Sequence, residues 1–126
     1  MKEIINTTNA PAAIGPYSQA VLVENTLYTS GQIALNPVTG KLVIDSIGEE
    51  TTQVMKNLEA VLEAANMTFD NVIKASIFIS DMHTFSAVNA IYAKYFNETT
   101  APARETVEVS NLPKFVNVEI SVIAVK

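Results

Sequence analysis

Apolar and polar positions alternate with the two-residue period of a half-buried strand over 20–24, 27–31, 74–80, 106–110 and 116–125. The first two of these runs meet across Asn25-Thr26, a tight hairpin connection. Elsewhere the period lengthens to that of a helix. Val54, Leu58, Val61, Leu62 and Ala65 fall on one stripe, with Lys56, Asn57, Glu59 and Glu63 off it. Ser46 followed by Glu49 resembles a capping box ahead of that stripe, and Asn66 suits its end. A second helical face carries Phe85, Val88, Ile91, Tyr92 and Tyr95, with Asp81 or Thr84 as its N-terminal cap and Pro102 closing the region. Strands interrupted by two helices, with no repeat or linker, predict one domain over 1–126 of α+β class, both helices on one face of the sheet.

The last two strands predict a closing hairpin. On the first, Arg104, Thr106, Glu108 and Ser110 share a face opposite Val107 and Val109. On the second, Asn117, Glu119 and Ser121 oppose Val118, Ile120 and Val122. Matching apolar with apolar sets Thr106 opposite Glu119 and Arg104 opposite Ser121, which makes Arg104 and Glu119 diagonal neighbours on a polar face. A guanidinium grips a carboxylate with two parallel hydrogen bonds, and a nearby carboxylate can orient water or take its proton. The pair thus describes a site where a small anionic substrate is attacked by water. Periodicity alone favours the plainer reading, an exposed ion pair of little energetic weight.

Composition narrows the chemistry. The 126 residues contain no cysteine, so disulfides, thiolate nucleophiles and cysteine-held metals are excluded. Thirteen acidic against eight basic residues give a formal charge of −5, which disfavours nucleic acid as a partner. The start, Met1-Lys2-Glu3-Ile4-Ile5-Asn6, lacks the apolar core of a signal peptide, and no apolar run reaches membrane-spanning length. The expectation is a soluble, cytoplasmic protein, in which the sequons at Asn6, Asn66 and Asn97 arise by chance. The lone histidine, His83, reads as a surface residue beside Asp81 without a catalytic role.

Three ordered motifs carry a family resemblance. Asn9-Ala10-Pro11-Ala12-Ala13-Ile14-Gly15-Pro16-Tyr17-Ser18-Gln19-Ala20 is the first. Thr29-Ser30-Gly31-Gln32-Ile33, with Asn36-Pro37 and Thr39-Gly40, is the second. The third is Pro102-Ala103-Arg104 with Val107-Glu108-Val109, Leu112-Pro113-Lys114 and Val118-Glu119-Ile120. Together with Asn57-Leu58, Lys74 and Val88-Asn89 they resemble the RidA/YjgF-like family over almost the whole chain. The resemblance implies a fold similar to trimeric chorismate mutase, in which a mixed sheet backs onto two helices and three sheets form a barrel-like core. It implies hydrolysis of reactive enamines and imines, 2-imino acids such as 2-iminobutanoate or 2-iminopropanoate, to 2-oxo acids and ammonia. It implies no metal or organic cofactor.

Carried over by position, Arg104 matches the residue that holds the substrate carboxylate, and Glu119 the one that positions or activates water. Tyr17, Ser30 and Gly31 match pocket residues supplied across a subunit interface of a homotrimer, and Asn89 a polar pocket residue on the second helix. Thr106 stands where many members have cysteine, so thiol catalysis is impossible here; its backbone can still line the pocket, and Glu105 adds a charge nearby. Two alternatives accompany this reading: a non-catalytic sensor of 2-oxo acids using the same cleft, and the endoribonuclease or translation-inhibitor activity with which the family is often labelled, against which the acidic charge argues.

Overall fold

The C-terminal strand organises the sheet. In β6 (Val118–Val125) every second residue is buried, Val118, Ile120, Val122 and Ala124, while Glu119, Ser121, Ile123 and Val125 are half-buried on the other face. Such a strand belongs in the middle of a sheet. The computed structural model describes all residues 1–126, and it places β6 between β3 (Thr26–Thr29) and β4 (Val72–Ile79), antiparallel to both. With β1 (Lys2–Ile5), β2 (Ala20–Val23) and β5 (Ala103–Glu108) the order across six strands is β1-β2-β3-β6-β4-β5. The β2–β3 hairpin forms as the pattern predicts, but it turns at Glu24-Asn25, one residue earlier, with Glu24 in the left-handed region at φ 54°.

Helix α1 (Ile47–Ala64) starts where Ser46 Oγ accepts from the Glu49 N–H at 3.1 Å. It ends as the left-handed Asn66 (φ 58°) lets Asn66 N–H reach the Glu63 carbonyl and Met67 N–H the Leu62 carbonyl, a Schellman closure. Its stripe of Val54, Met55, Leu58, Val61 and Leu62 is wholly buried against the sheet, each side chain contributing about 1.5–3 kcal/mol of burial. Helix α2 (Phe85–Tyr92) is shorter than its apolar face predicts, because 3₁₀ turns at Met82–Thr84 and Ala93–Tyr95 flank it. Asp81 caps the first of these through its bond from the His83 N–H. Both helices join one core with Leu27, Ala75, Ile77, Val118 and Ile120, which leaves the opposite face of the sheet without a helix.

Three polar residues are pulled into this core to position what surrounds it. Asn57, off the apolar stripe by sequence, is buried and donates to the carbonyls of Ile33 and Leu35 at 3.0 Å each, fixing the segment after Gly31. Gln19 is buried and ties the N-terminal loop: its side chain accepts from Thr7 N–H at 2.7 Å and donates to the Pro11 carbonyl at 2.8 Å. Glu50 is fully buried, and its carboxylate accepts from Asn117 N–H (2.8 Å), Asn117 Nδ2 (2.8 Å) and Val118 N–H (3.0 Å). Glu50 therefore anchors the first residue of β6.

The predicted closing hairpin does not form. β5 lies at the sheet edge, parallel to β4, and never pairs with β6. The strand, α2 and the next strand make a β4–α2–β5 crossover, which returns the chain parallel to its start. The link from β5 to β6 then passes through a 3₁₀ turn at Pro113–Phe115, with Lys114 and Phe115 both left-handed at φ 55°, to the far side of β4. The facing of β5 is also reversed. Arg104, Thr106 and Glu108 sit in register with the buried Ala75, Ile77 and Ile79 on the helix side, and the 43% exposed Val107 looks out from the open face. An edge strand tolerates this because the helices do not cover its whole helix-side surface, so polar side chains there stay solvated.

Candidate active site

Arg104 stands on the edge strand beside α2. Its Nη1 donates to Asn89 Oδ1 at 2.6 Å, and its guanidinium carbon lies 5.4 Å from the Phe85 ring centre and 5.1 Å from that of Tyr92. Neither ion pair in the chain, Lys74–Glu105 or His83–Asp81, involves Arg104. Glu105, expected to add a charge nearby, points to the other face. There it accepts from Ser76 Oγ at 2.7 Å and meets Lys74 Nζ at 3.2 Å, and these partners, Ser76 foremost, hold its carboxyl below the usual range. The positive charge of Arg104 is thus unspoken for. A cleft of about 590 Å³ opens beside it, walled by Asn89, Tyr92, Phe96 and Pro102 among others. Thr106, half-buried, follows Arg104 two residues along the same face. Burial pushes the Tyr92 phenol up, while Arg104 pulls it the other way.

Glu119 belongs to a different surface. It pairs with Phe78 on the open face of the sheet, half-buried, with no ion-pair or hydrogen-bond partner, and burial raises its pKa above the ordinary glutamate range. The close neighbour is Gly31. β3 meets β6 as far as Thr29, whose Oγ1 accepts from Val122 N–H at 2.9 Å, and the chain rejoins β6 where Gln32 and Ile120 exchange backbone bonds of 2.8 and 3.1 Å. Between them Ser30-Gly31 passes so near Glu119 that a Cβ on Gly31 would lie 2.7 Å from the carboxyl carbon Cδ. Ser30 donates its hydroxyl to the Ser18 carbonyl at 2.5 Å and its N–H to Gln19 at 2.9 Å, which holds the loop carrying Tyr17 against the sheet. Tyr17, 54% exposed, and Gly31 line one cleft of about 310 Å³ together with Lys114.

The residues singled out by sequence therefore fall into two groups. Arg104, Asn89 and Thr106 gather at the edge strand and α2; Tyr17, Ser30, Gly31 and Glu119 gather at the junction of the N-terminal loop and β6. Within one chain β4 separates them, and Arg104 and Glu119 point to opposite faces, not along a shared diagonal. Phe85 and Tyr92, read from the sequence only as the buried face of a helix, are the residues missed. The available signal was their spacing from Asn89, which puts all three on one side of α2. His83 is exposed and bonds only Asp81, and no three of the chain's acidic or histidine side chains converge as a metal site would require.

The family model for endoribonuclease L-PSP matches residues 7–126. A 2-iminobutanoate/2-iminopropanoate deaminase of the goat, Capra hircus, is 48% identical over 126 residues, all of this chain and 91% of the goat protein. The crystal structure of YyfA from Yersinia pestis, a member of the conserved Rid protein family, superposes with a TM-score of 0.97 at 54% identity, covering 100% of both chains. That of Escherichia coli TdcF with bound serine does so with a TM-score of 0.92 at 38% identity, covering 98% of each. The match of sequence and of fold runs from end to end, and on it the chain belongs to the endoribonuclease L-PSP family, that of the RidA/YjgF-like proteins.

Proposed function

We propose that the chain hydrolyses reactive 2-imino acids to 2-oxo acids and ammonium, in a homotrimer whose sites lie between subunits. The reading rests first on the 48% identity, over the whole chain, to a goat enzyme named for this reaction. The geometry supports it, since Arg104 offers an uncompensated guanidinium and Glu119 a carboxylate that burial makes more basic than an exposed one. The open sheet face supports the assembly. It presents Ile4 (51% exposed), Tyr28 (50%) and Val107 (43%) beside Phe78 and Ile123, an apolar surface that neither helix covers. Closing three such faces into a barrel-like core would bring the Glu119 group of one subunit toward the Arg104 group of the next.

In the reaction Arg104 holds the substrate carboxylate through the N–H groups that Asn89 leaves free. Glu119 accepts a proton from water as its oxygen adds to the C=N carbon, giving a carbinolamine. The proton returns to the nitrogen, the C–N bond breaks, and ammonium leaves as the carbinolamine oxygen becomes the 2-oxo group. No thiol enters any step, so Thr106 in place of cysteine is compatible with turnover. A cytoplasmic setting suits the task, because pyridoxal-phosphate enzymes acting on threonine or serine release such imines.

The test couples the purified protein to a threonine dehydratase and follows 2-oxobutanoate release above the spontaneous rate. Wild type should accelerate release and folded Arg104→Ala should not. Equal acceleration by both proteins rejects Arg104 as the anchor. No acceleration by the folded oligomer rejects the enzyme in favour of ligand sensing.

A further inference from the structure

Arg104 is held on α2 by more than Asn89. Phe85, Asn89 and Tyr92 stand at positions i, i+4 and i+7 of the helix, so their side chains leave one face, and Arg104 reaches all three. A guanidinium carbon within about 6 Å of a ring centre is attracted by the ring's quadrupole, and Arg104 satisfies this for two rings at once, at 5.4 and 5.1 Å. The rings are themselves fixed. Tyr92 is 4% exposed and packs on Phe96 at 4.7 Å, Phe96 packs edge-on against Phe69 at 5.4 Å, and Phe69 lies in the core. Rigidity therefore passes from the core through Tyr92 to an otherwise exposed arginine.

We infer that Phe85 and Tyr92, with Asn89, form an aromatic cage that holds the Arg104 guanidinium in its carboxylate-binding orientation before the ligand arrives, making both aromatic residues positioning residues of the site. This rests on the proposed reading of Arg104 as the carboxylate anchor. A free arginine side chain loses much rotamer freedom when it binds, and a caged one has already lost it in the folded protein, so the cage acts on affinity. It acts equally on substrate and on transition state, because the carboxylate is a spectator in both, so it should move KM and leave kcat alone. The Tyr92 hydroxyl takes no part. It is buried with no hydrogen-bond partner, and the ring alone faces Arg104.

The experiment compares wild type with Phe85→Leu, Tyr92→Leu and Tyr92→Phe. It measures kcat and KM for dehydratase-generated 2-iminobutanoate and, independently, the Kd for 2-oxobutanoate by calorimetry. Each leucine variant should raise KM and Kd about three- to tenfold with kcat within about twofold of wild type. Tyr92→Phe, which restores the ring, should bring KM and Kd back. A role in folding alone would instead lower the active fraction and so the apparent kcat, with KM and Kd unmoved. Unchanged Kd in Phe85→Leu overturns the cage, and so does a Tyr92→Phe protein as weakened as Tyr92→Leu. Should Tyr92→Leu fail to fold, the half-buried Phe85 decides the matter. A wild type that binds 2-oxobutanoate without turning over imine removes the deaminase reading and leaves the cage to be judged on Kd. A wild type that neither binds nor turns over removes both.

Discussion

Within its own chain Glu119 is half-buried with no cation beside it, and two measurable consequences follow from that one fact. Burial raises its pKa in the folded chain above the unfolded value, so between the two the folded state binds the extra proton. Stability is accordingly lost as pH rises through that window, and it is not lost in a chain that cannot ionise there. Glu119→Gln should therefore melt higher than wild type at neutral pH, and the difference should vanish once pH drops below the ordinary glutamate range; scanning calorimetry at several pH values checks it. The same shift moves catalysis. If the ionised carboxylate takes the water's proton, kcat/KM should fall at low pH along an acid limb that lies above the ordinary glutamate range, and Glu119→Gln should lose this limb together with most of its rate. Gly31 constrains the same carboxylate from outside. A methyl group there would sit 2.7 Å from Glu119 Cδ, so Gly31→Ala must turn the carboxylate aside. Because a displacement of about 1 Å can cost on the order of a hundredfold in rate, kcat/KM should drop by tenfold to a hundredfold. The exposed position of Gly31 should keep the melting temperature within a few degrees of wild type.

The elements that hold these residues were legible in the sequence to unequal degrees. α1 was read from its stripe, its Ser46 cap and its Asn66 terminus, all local signals that the structure reproduces. The buried face of β6, with Glu119 and Ser121 opposite it, was read correctly from alternation. Pairing was not, because alternation gives the face of a strand and says nothing of its neighbour. Val107 and Val109 looked like the core side of β5, yet an edge strand beyond the helices can turn either face to solvent, and the crossover through α2 made β5 parallel to β4. The short β1, with one buried residue in four, carried no pattern long enough to be seen. Glu50 was equally invisible, one of two adjacent acids in a first helical turn, although the placement of β6 depends on it. Replacing it removes the acceptor of the buried Val118 N–H and of the half-buried Asn117 N–H and amide. Glu50→Ala should therefore lower unfolding free energy by about 2–4 kcal/mol in urea titrations. Glu50→Gln should fall short of wild type as well, since its amide presents a donor where Asn117 and Val118 offer donors of their own.

At the scale of the whole molecule, the division of the site across β4 becomes an argument about assembly. Arg104 and Glu119 cannot meet within a chain, since they occupy opposite faces of one sheet, so a reaction that needs both requires a second copy. In the proposed closed ring each contact would be heterologous, one subunit supplying its Arg104 group and the next its Glu119 group. Two proteins that are each inactive should then complement one another. Arg104→Ala retains Glu119, Glu119→Gln retains Arg104, and a mixed ring contains contacts where the intact halves face each other. When the two variants are co-refolded in equal amounts and assort at random, about one contact in four pairs an intact Arg104 with an intact Glu119, so about a quarter of wild-type activity should return. Dehydratase-coupled assays on the separate variants, on their mixture before refolding and on the co-refolded ring measure this directly. Activity that appears only after co-refolding places the two groups on different subunits. Mixed rings, verified by mass spectrometry, that stay as inactive as their parents would mean that Arg104 of one subunit and Glu119 of the next do not form one site, and the trimeric reading of the open sheet face would lose its catalytic support.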